Sequence, residues 1–212
     1  MLKRKLFWLI SWAIAFGYIE ASIVVYLRKI YYPAGFSFPV VLLEADIAAV
    51  EMIREIATLV FMWAVAELSY RSFQCKFAAF MILFGIWDIF YYVFLKATLN
   101  WPASLAEWDI LFLVPLPWAG PVWAPVVVSV GLIWAGIAIL IRNEQGKPMD
   151  LSPGFMFLEV AAGMIIVISF LIPGQAVIRH TVPQHFPWYL FVIGFGSGLG
   201  FFGWKLRKSG AR

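Results

Sequence analysis

The sequence is short of charge, of cysteine and of histidine, and each shortage closes off a class of protein. Charged residues make up 13% of the 212 positions and hydrophobic ones 63%, whereas soluble domains carry about 25% charged residues. An ordinary soluble domain is therefore excluded. The 16 Lys and Arg sit mostly in short flanks between apolar runs, which argues against a nucleic-acid partner. A single cysteine, Cys75, rules out an intrachain disulfide. The two histidines, His180 and His185, fall in one connection, so a haem clamped by histidines from two membrane helices is not expected. The cationic start, Met1 to Lys5, resembles a signal peptide. The apolar run after it reaches Leu27, long enough to span, and is read as a membrane helix instead.

What the chain has in abundance is long apolar runs. Six are candidate spans: Leu6–Leu27, Leu43–Tyr70, Phe77–Leu95, Pro121–Ile141, Phe155–Ile172 and Trp188–Trp204. The expected fold is all-α, a polytopic integral membrane protein with six transmembrane helices forming a single domain over 1–212. Eleven of the 16 cations, from Lys3 to Arg212, fall on the side of the N-terminus in this arrangement. The positive-inside rule then places both termini in the cytoplasm, at the cell's inner membrane. Residues 108–125, WDILFLVPLPWAGPVWAP, hold four prolines; a short outer-leaflet helix or re-entrant piece is expected there.

One stretch recurs. FGYIEASIVVYLR (16–28) aligns with FGIWDIFYYVFLK (84–96), so that Glu20 falls on Asp88 and Arg28 on Lys96. A Pro-Ala turn follows each copy. Both copies run in the same direction, which reads as a parallel two-helix internal repeat. Glu20 lies eight residues before Arg28, or about 12 Å inside any surface that Arg28 marks. A carboxylate at that depth is costly and is by default a functional candidate.

The second helix begins LEADIAAVEMIREIATL. At helical spacing Glu44, Glu51 and Glu55 share one face, Thr58 extends it, and Arg54 flanks it as a counter-ion. Together with Glu20, Asp88 and Asp109, these acids occupy one layer near the non-cytoplasmic side. Pointing them at lipid would cost about 2.5–3.5 kcal/mol per central charge; the cheaper solution turns them inward around one polar cavity. The expected ion- or proton-binding set is Glu20, Glu51, Glu55, Asp88, Asp109 and Arg54, with Glu20 facing Asp88 as a pair that shares a proton. Structural roles compete with this reading: a cap for Asp109, and ion pairs for Glu51 and Glu55.

Three functions fit these residues. The leading one is proton- or cation-linked transport of a small ion or small molecule. The second is a membrane-embedded enzyme that uses a divalent metal held by the acids with His180 and His185, acting on a lipid or lipophilic substrate. The third is a non-catalytic subunit of a membrane complex. The last span, GFGSGLGFFG, carries two overlapping GxxxG spacings, Gly194/Gly198 and Gly196/Gly200. They predict close helix packing, within the protomer or in a homo-oligomer.

Overall fold

A computed structural model describes residues 2–41 and 43–210; Arg212 lies outside them. Their regular structure is six helices and one hairpin: α1 (Leu2–Tyr31), α2 (Ala45–Ser69), α3 (Phe73–Leu99), β1 (Trp108–Phe112), β2 (Trp118–Pro121), α4 (Trp123–Glu144), α5 (Pro153–Ile178) and α6 (Trp188–Gly210). Five helices, all but α2, are long and apolar enough to cross a membrane. α2 is 25 residues long, but Glu51, Arg54 and Glu55 on its first half and Glu67 near its end lower its apolar character below the others.

Local chemistry sets the ends of these helices. Ser72 caps α3, its hydroxyl accepting the Cys75 N–H at 3.3 Å. α3 stops at Asn100, which adopts the left-handed conformation with φ 53° and returns its N–H to the Lys96 carbonyl. Ser152 and Pro153 open α5 in the order that suits a helix start.

The helices run alternately up and down. One end of the bundle, the terminal end, gathers the start of α1, the end of α4 and the end of α6. There the Leu2 N–H meets Glu144, the Arg142 guanidinium meets the Leu206 carbonyl, and Lys205 pairs with Asp150. At the opposite end, here called the hairpin end, lie the end of α1, the start of α2 and the β-hairpin.

That hairpin replaces the short helix or re-entrant piece expected for 108–125. β1 and β2 pair antiparallel, with Asp109 opposite Gly120 and Ile110 opposite Ala119, and an irregularity between Ile110 and Phe112. The apolar, β-favouring run WDILF needs a pairing partner. Pro115 and Pro117 fall in the turn, where a missing N–H costs nothing. Trp118 of β2 stacks on Phe170 of α5, 6.3 Å between ring centres, which ties the α5–α6 pair to the rest of the bundle.

The main apolar core fills the terminal half. Met62, Ala66, Ala79, Ile82 and Leu83 are fully buried there, where α2 and α3 meet α1 and α4. α3 and α4 approach closely because each offers a glycine: a Cβ on Gly85 would lie 2.6 Å from the Ser129 carbonyl oxygen, and one on Gly136 would lie 2.6 Å from that of Ala78. In α6 the two glycine spacings separate. Gly194 packs on Ala162 and Ile166 of α5, within the protomer, whereas a Cβ on Gly196 or Gly200 would meet nothing within 4 Å among the described residues.

A test follows from this contrast. Gly85→Ala and Gly136→Ala force two backbones apart and are expected to cost about 1–3 kcal/mol each, seen as a lowered melting temperature of detergent-purified protein. Melting temperatures matching the wild type in both variants would contradict the close α3–α4 approach.

Candidate functional site

The hairpin end contains a cavity of about 450 Å³ between α1, α2, α3 and the hairpin. All six residues expected to form an acidic site, Glu20, Glu51, Arg54, Glu55, Asp88 and Asp109, line it. The helical period explains the contribution of α2. Glu51, Glu55, Thr58 and Met62 recur on one face and are all buried. Glu44 and Asp46, one turn or more above them, are exposed.

Arg54 is the hub of the α1–α2 side. Its Nε and Nη2 donate to Glu51 Oε2 at 3.0 and 2.8 Å, and its Nη1 donates to Glu20 Oε2. One guanidinium therefore holds two carboxylates and joins two helices. The Thr58 hydroxyl lies 3.0 Å from both Glu20 Oε1 and the Arg54 carbonyl, and its single proton can serve only one at a time.

The remaining acids have separate partners. Asp88 accepts from the Ser129 hydroxyl of α4 at 2.7 Å. Glu55 accepts the Leu113 N–H with both oxygens, at 3.0 and 2.8 Å, and so ties the hairpin turn to α2. Asp109 pairs with Arg28 at 2.8 Å, and the Tyr92 hydroxyl lies beside it. Burial raises the Asp109 pKa above the ordinary carboxylate range, while the Arg28 charge and the Ile110 N–H pull it back. On the loop that covers the cavity, Tyr32 accepts the Val41 N–H at 2.7 Å. Burial raises its phenol pKa, against the pull of that hydrogen bond.

The expected pairing of Glu20 with Asp88 is not what the structure shows. Both line the same cavity, but Arg54 and Thr58 take Glu20 and Ser129 takes Asp88. α1 and α3 do pack closely at this level, where a Cβ on Gly17 would lie 3.1 Å from the Trp87 carbonyl oxygen.

Arg28 also departs from expectation. Read from sequence as a marker of the membrane surface, it is only 7% exposed. Its guanidinium lies 4.2 Å from the Phe36 ring centre and 3.7 Å from that of Trp101, so aromatic faces replace much of its lost hydration. Among the described residues, Nη1 of Arg28 and Oδ2 of Asp109 are buried and find no hydrogen-bond partner of good geometry. The signal for this residue was available: it is the only cation in the repeat's first copy, and an acid, Asp109, sat unmatched in the same layer.

His180 and His185 are placed elsewhere. Both are exposed in the α5–α6 connection, and neither lines the cavity. Among the described residues no three His, Cys, Asp or Glu side chains converge in an arrangement that could hold a metal ion. The acids are drawn instead to Arg54, Arg28, a serine hydroxyl and a backbone N–H.

The cavity wall thus holds five carboxylates against two guanidiniums, a formal excess of three negative charges. Comparison with family models, with curated proteins and with solved structures finds no match for the chain.

The buried Arg28–Asp109 pair makes a stability prediction. Arg28→Ala leaves Asp109 as an uncompensated buried charge and is expected to destabilise the protein by about 3–5 kcal/mol. Arg28→Ala combined with Asp109→Asn should recover part of that loss. A double-mutant cycle from unfolding in mixed micelles measures it; a zero coupling energy would contradict the pair.

Proposed function

We propose that the protein is a six-span protein of the cytoplasmic membrane that carries out proton- or cation-linked transport, with the hairpin-end cavity as its coupling site. The single observation that carries this reading is the excess of three negative charges in the wall of a cavity set among long apolar helices. Carboxylates held together in a medium of low dielectric do not all stay ionised and unmatched. They take up protons or bind a cation, and reversible uptake of that kind is the elementary step of a coupled transporter.

In this reading the hairpin end faces the non-cytoplasmic side, as the distribution of Lys and Arg supports. α2 serves as a sixth span because Glu51, Arg54 and Glu55 face the cavity and not lipid, and Glu67, near its end, pairs with Lys76. The resemblance of residues 16–28 to 84–96 supports a parallel repeat, since both matched glycines, Gly17 and Gly85, mark close helix approaches. The fully packed layer of Met62, Ala66, Ile82 and Leu83 is the barrier between the cavity and the cytoplasmic side, and it has to part for a ligand to pass. Arg54 is suited to report occupancy: it binds Glu20 of α1 and Glu51 of α2 at once, so neutralising Glu20 loosens the joint between those helices.

The test is charge movement in proteoliposomes on a solid-supported membrane, recorded after jumps in proton, sodium or potassium concentration. Wild-type protein should give a current with at least one of these ions. Asp88→Asn should reduce it by about tenfold or more, the loss of one charge-assisted contact. Glu67→Gln, a change to a half-exposed acid outside the cavity that pairs with Lys76, should leave it intact. Silence from wild-type protein after every jump would overturn the reading.

A further inference from the structure

The cavity has more room and more carbon in its wall than a proton or an alkali ion needs. Its volume, about 450 Å³, falls in the range of pockets that enclose small organic molecules, about 300–1,000 Å³. A bare metal cation seeks six to eight oxygen ligands around it. Here each carboxylate already has a protein partner (Arg54, Arg28, the Ser129 hydroxyl or the Leu113 N–H), and most of the rest of the lining is side chains such as Val24, Leu27, Val40, Leu43, Ile110 and Val177. Trp87 and Tyr91 flank Asp88 in the lining, and aromatic faces favour organic cations.

A second, independent observation points to the polar end of such a ligand. Asp109 is 1% exposed, and its Oδ2 is a buried acceptor that meets no hydrogen-bond partner of good geometry among the described residues. A buried carboxylate oxygen without a donor is costly. Arg28 meets only the other oxygen, Oδ1. Apart from the Tyr92 hydroxyl, which lies beside Asp109, Oδ2 has no donor among the described residues, and in a cavity with an excess of negative charge a cationic N–H donor is favoured over a neutral one.

We propose that the ligand of this cavity is an amphiphilic organic cation, an ammonium group on a hydrocarbon or aromatic body, with the ammonium held near Asp109 and Asp88 and the body against the apolar wall. This names a substrate class for the cavity and rests on the cation-linked reading of it. The ammonium offsets part of the charge excess, and one of its N–H groups supplies a donor to Asp109 Oδ2. The body gains from leaving water for the apolar lining.

The experiment uses full-length protein in nanodiscs of neutral lipid, with empty nanodiscs to subtract partition into the bilayer. Three radiolabelled probes share one eight-carbon chain: octylammonium, 1-octanol and octanesulfonate. Octylammonium should bind saturably, at least about tenfold more tightly than 1-octanol, one charge-assisted contact's worth, and octanesulfonate should not bind. Two variants test the site, Asp88→Asn and the charge-balanced double change Arg28→Gln with Asp109→Asn. A fall of about tenfold in octylammonium affinity in either variant, with 1-octanol unchanged, supports the assignment. Equal binding of the three probes, no saturable octylammonium binding, or unaltered affinity in both variants overturns it. The outcome is separable from that of the current measurement. Octylammonium binding without ion-driven current removes transport and keeps the ligand class, whereas current without octylammonium binding does the reverse.

Discussion

Charge inside a membrane has to be matched, and at the hairpin end of this bundle two arginines do most of the matching. Arg54 holds Glu20 and Glu51 together across the α1–α2 seam. Arg28 holds Asp109 and itself packs against both Phe36 and Trp101. Neither pairing is a surface ion pair of small consequence. At these depths removing one partner strands the other in a low dielectric. The positions of α1, α2 and β1 relative to one another are therefore set as much by these contacts as by apolar packing.

The hairpin depends on the same constraint. A two-stranded hairpin is marginal in isolation, and this one is fastened on three sides. Glu55 accepts the Leu113 N–H at its turn, Arg28 grips Asp109 on β1, and Trp118 on β2 stacks over Phe170. α5 comes close enough at Gly174 that a Cβ there would collide with the Pro117 carbonyl. Two of the fasteners are acids of the cavity, so the hairpin and the site are one construction: the residues that wall the cavity also hold its cover.

The two halves of the bundle divide the work. Toward the terminal end small and aliphatic residues pack α1 to α4 into a solid layer. Toward the hairpin end α1, α2 and α3 spread, with the hairpin, around a cavity whose carboxylates outnumber its guanidiniums. A membrane bundle gains little from burying carbon, because lipid is as apolar as the core. Close glycine-mediated contacts such as Gly85 on Ser129 supply the rigidity of the packed half. In the open half, ion pairs and charge-assisted hydrogen bonds take that role, and they can be rearranged by a proton or a ligand.

The sequence by itself determined the all-helical, membrane-embedded character of the chain, because runs of apolar residues about 20 long have few other stable fates. It also determined which acids share a cavity. The one-face spacing of Glu51, Glu55 and Thr58 is a property of the helical period, and the depth of Glu20 and Asp88 follows from rise per residue; both are local. Partner choice was not local, and only the tertiary structure decided it. Nothing near Glu20 in sequence shows that Arg54 would take it before Asp88 did. Nothing near Arg28 shows that Phe36, Trp101 and Asp109 would fold over it and bury it. The hairpin at 108–121 was decided the same way, since WDILF and WAGP become strands only by pairing with each other beneath α5. The physical reason is common to all three: periodicity fixes the direction of a side chain within its own element, whereas hydrogen bonds and ion pairs are settled between elements that meet only when the chain is folded.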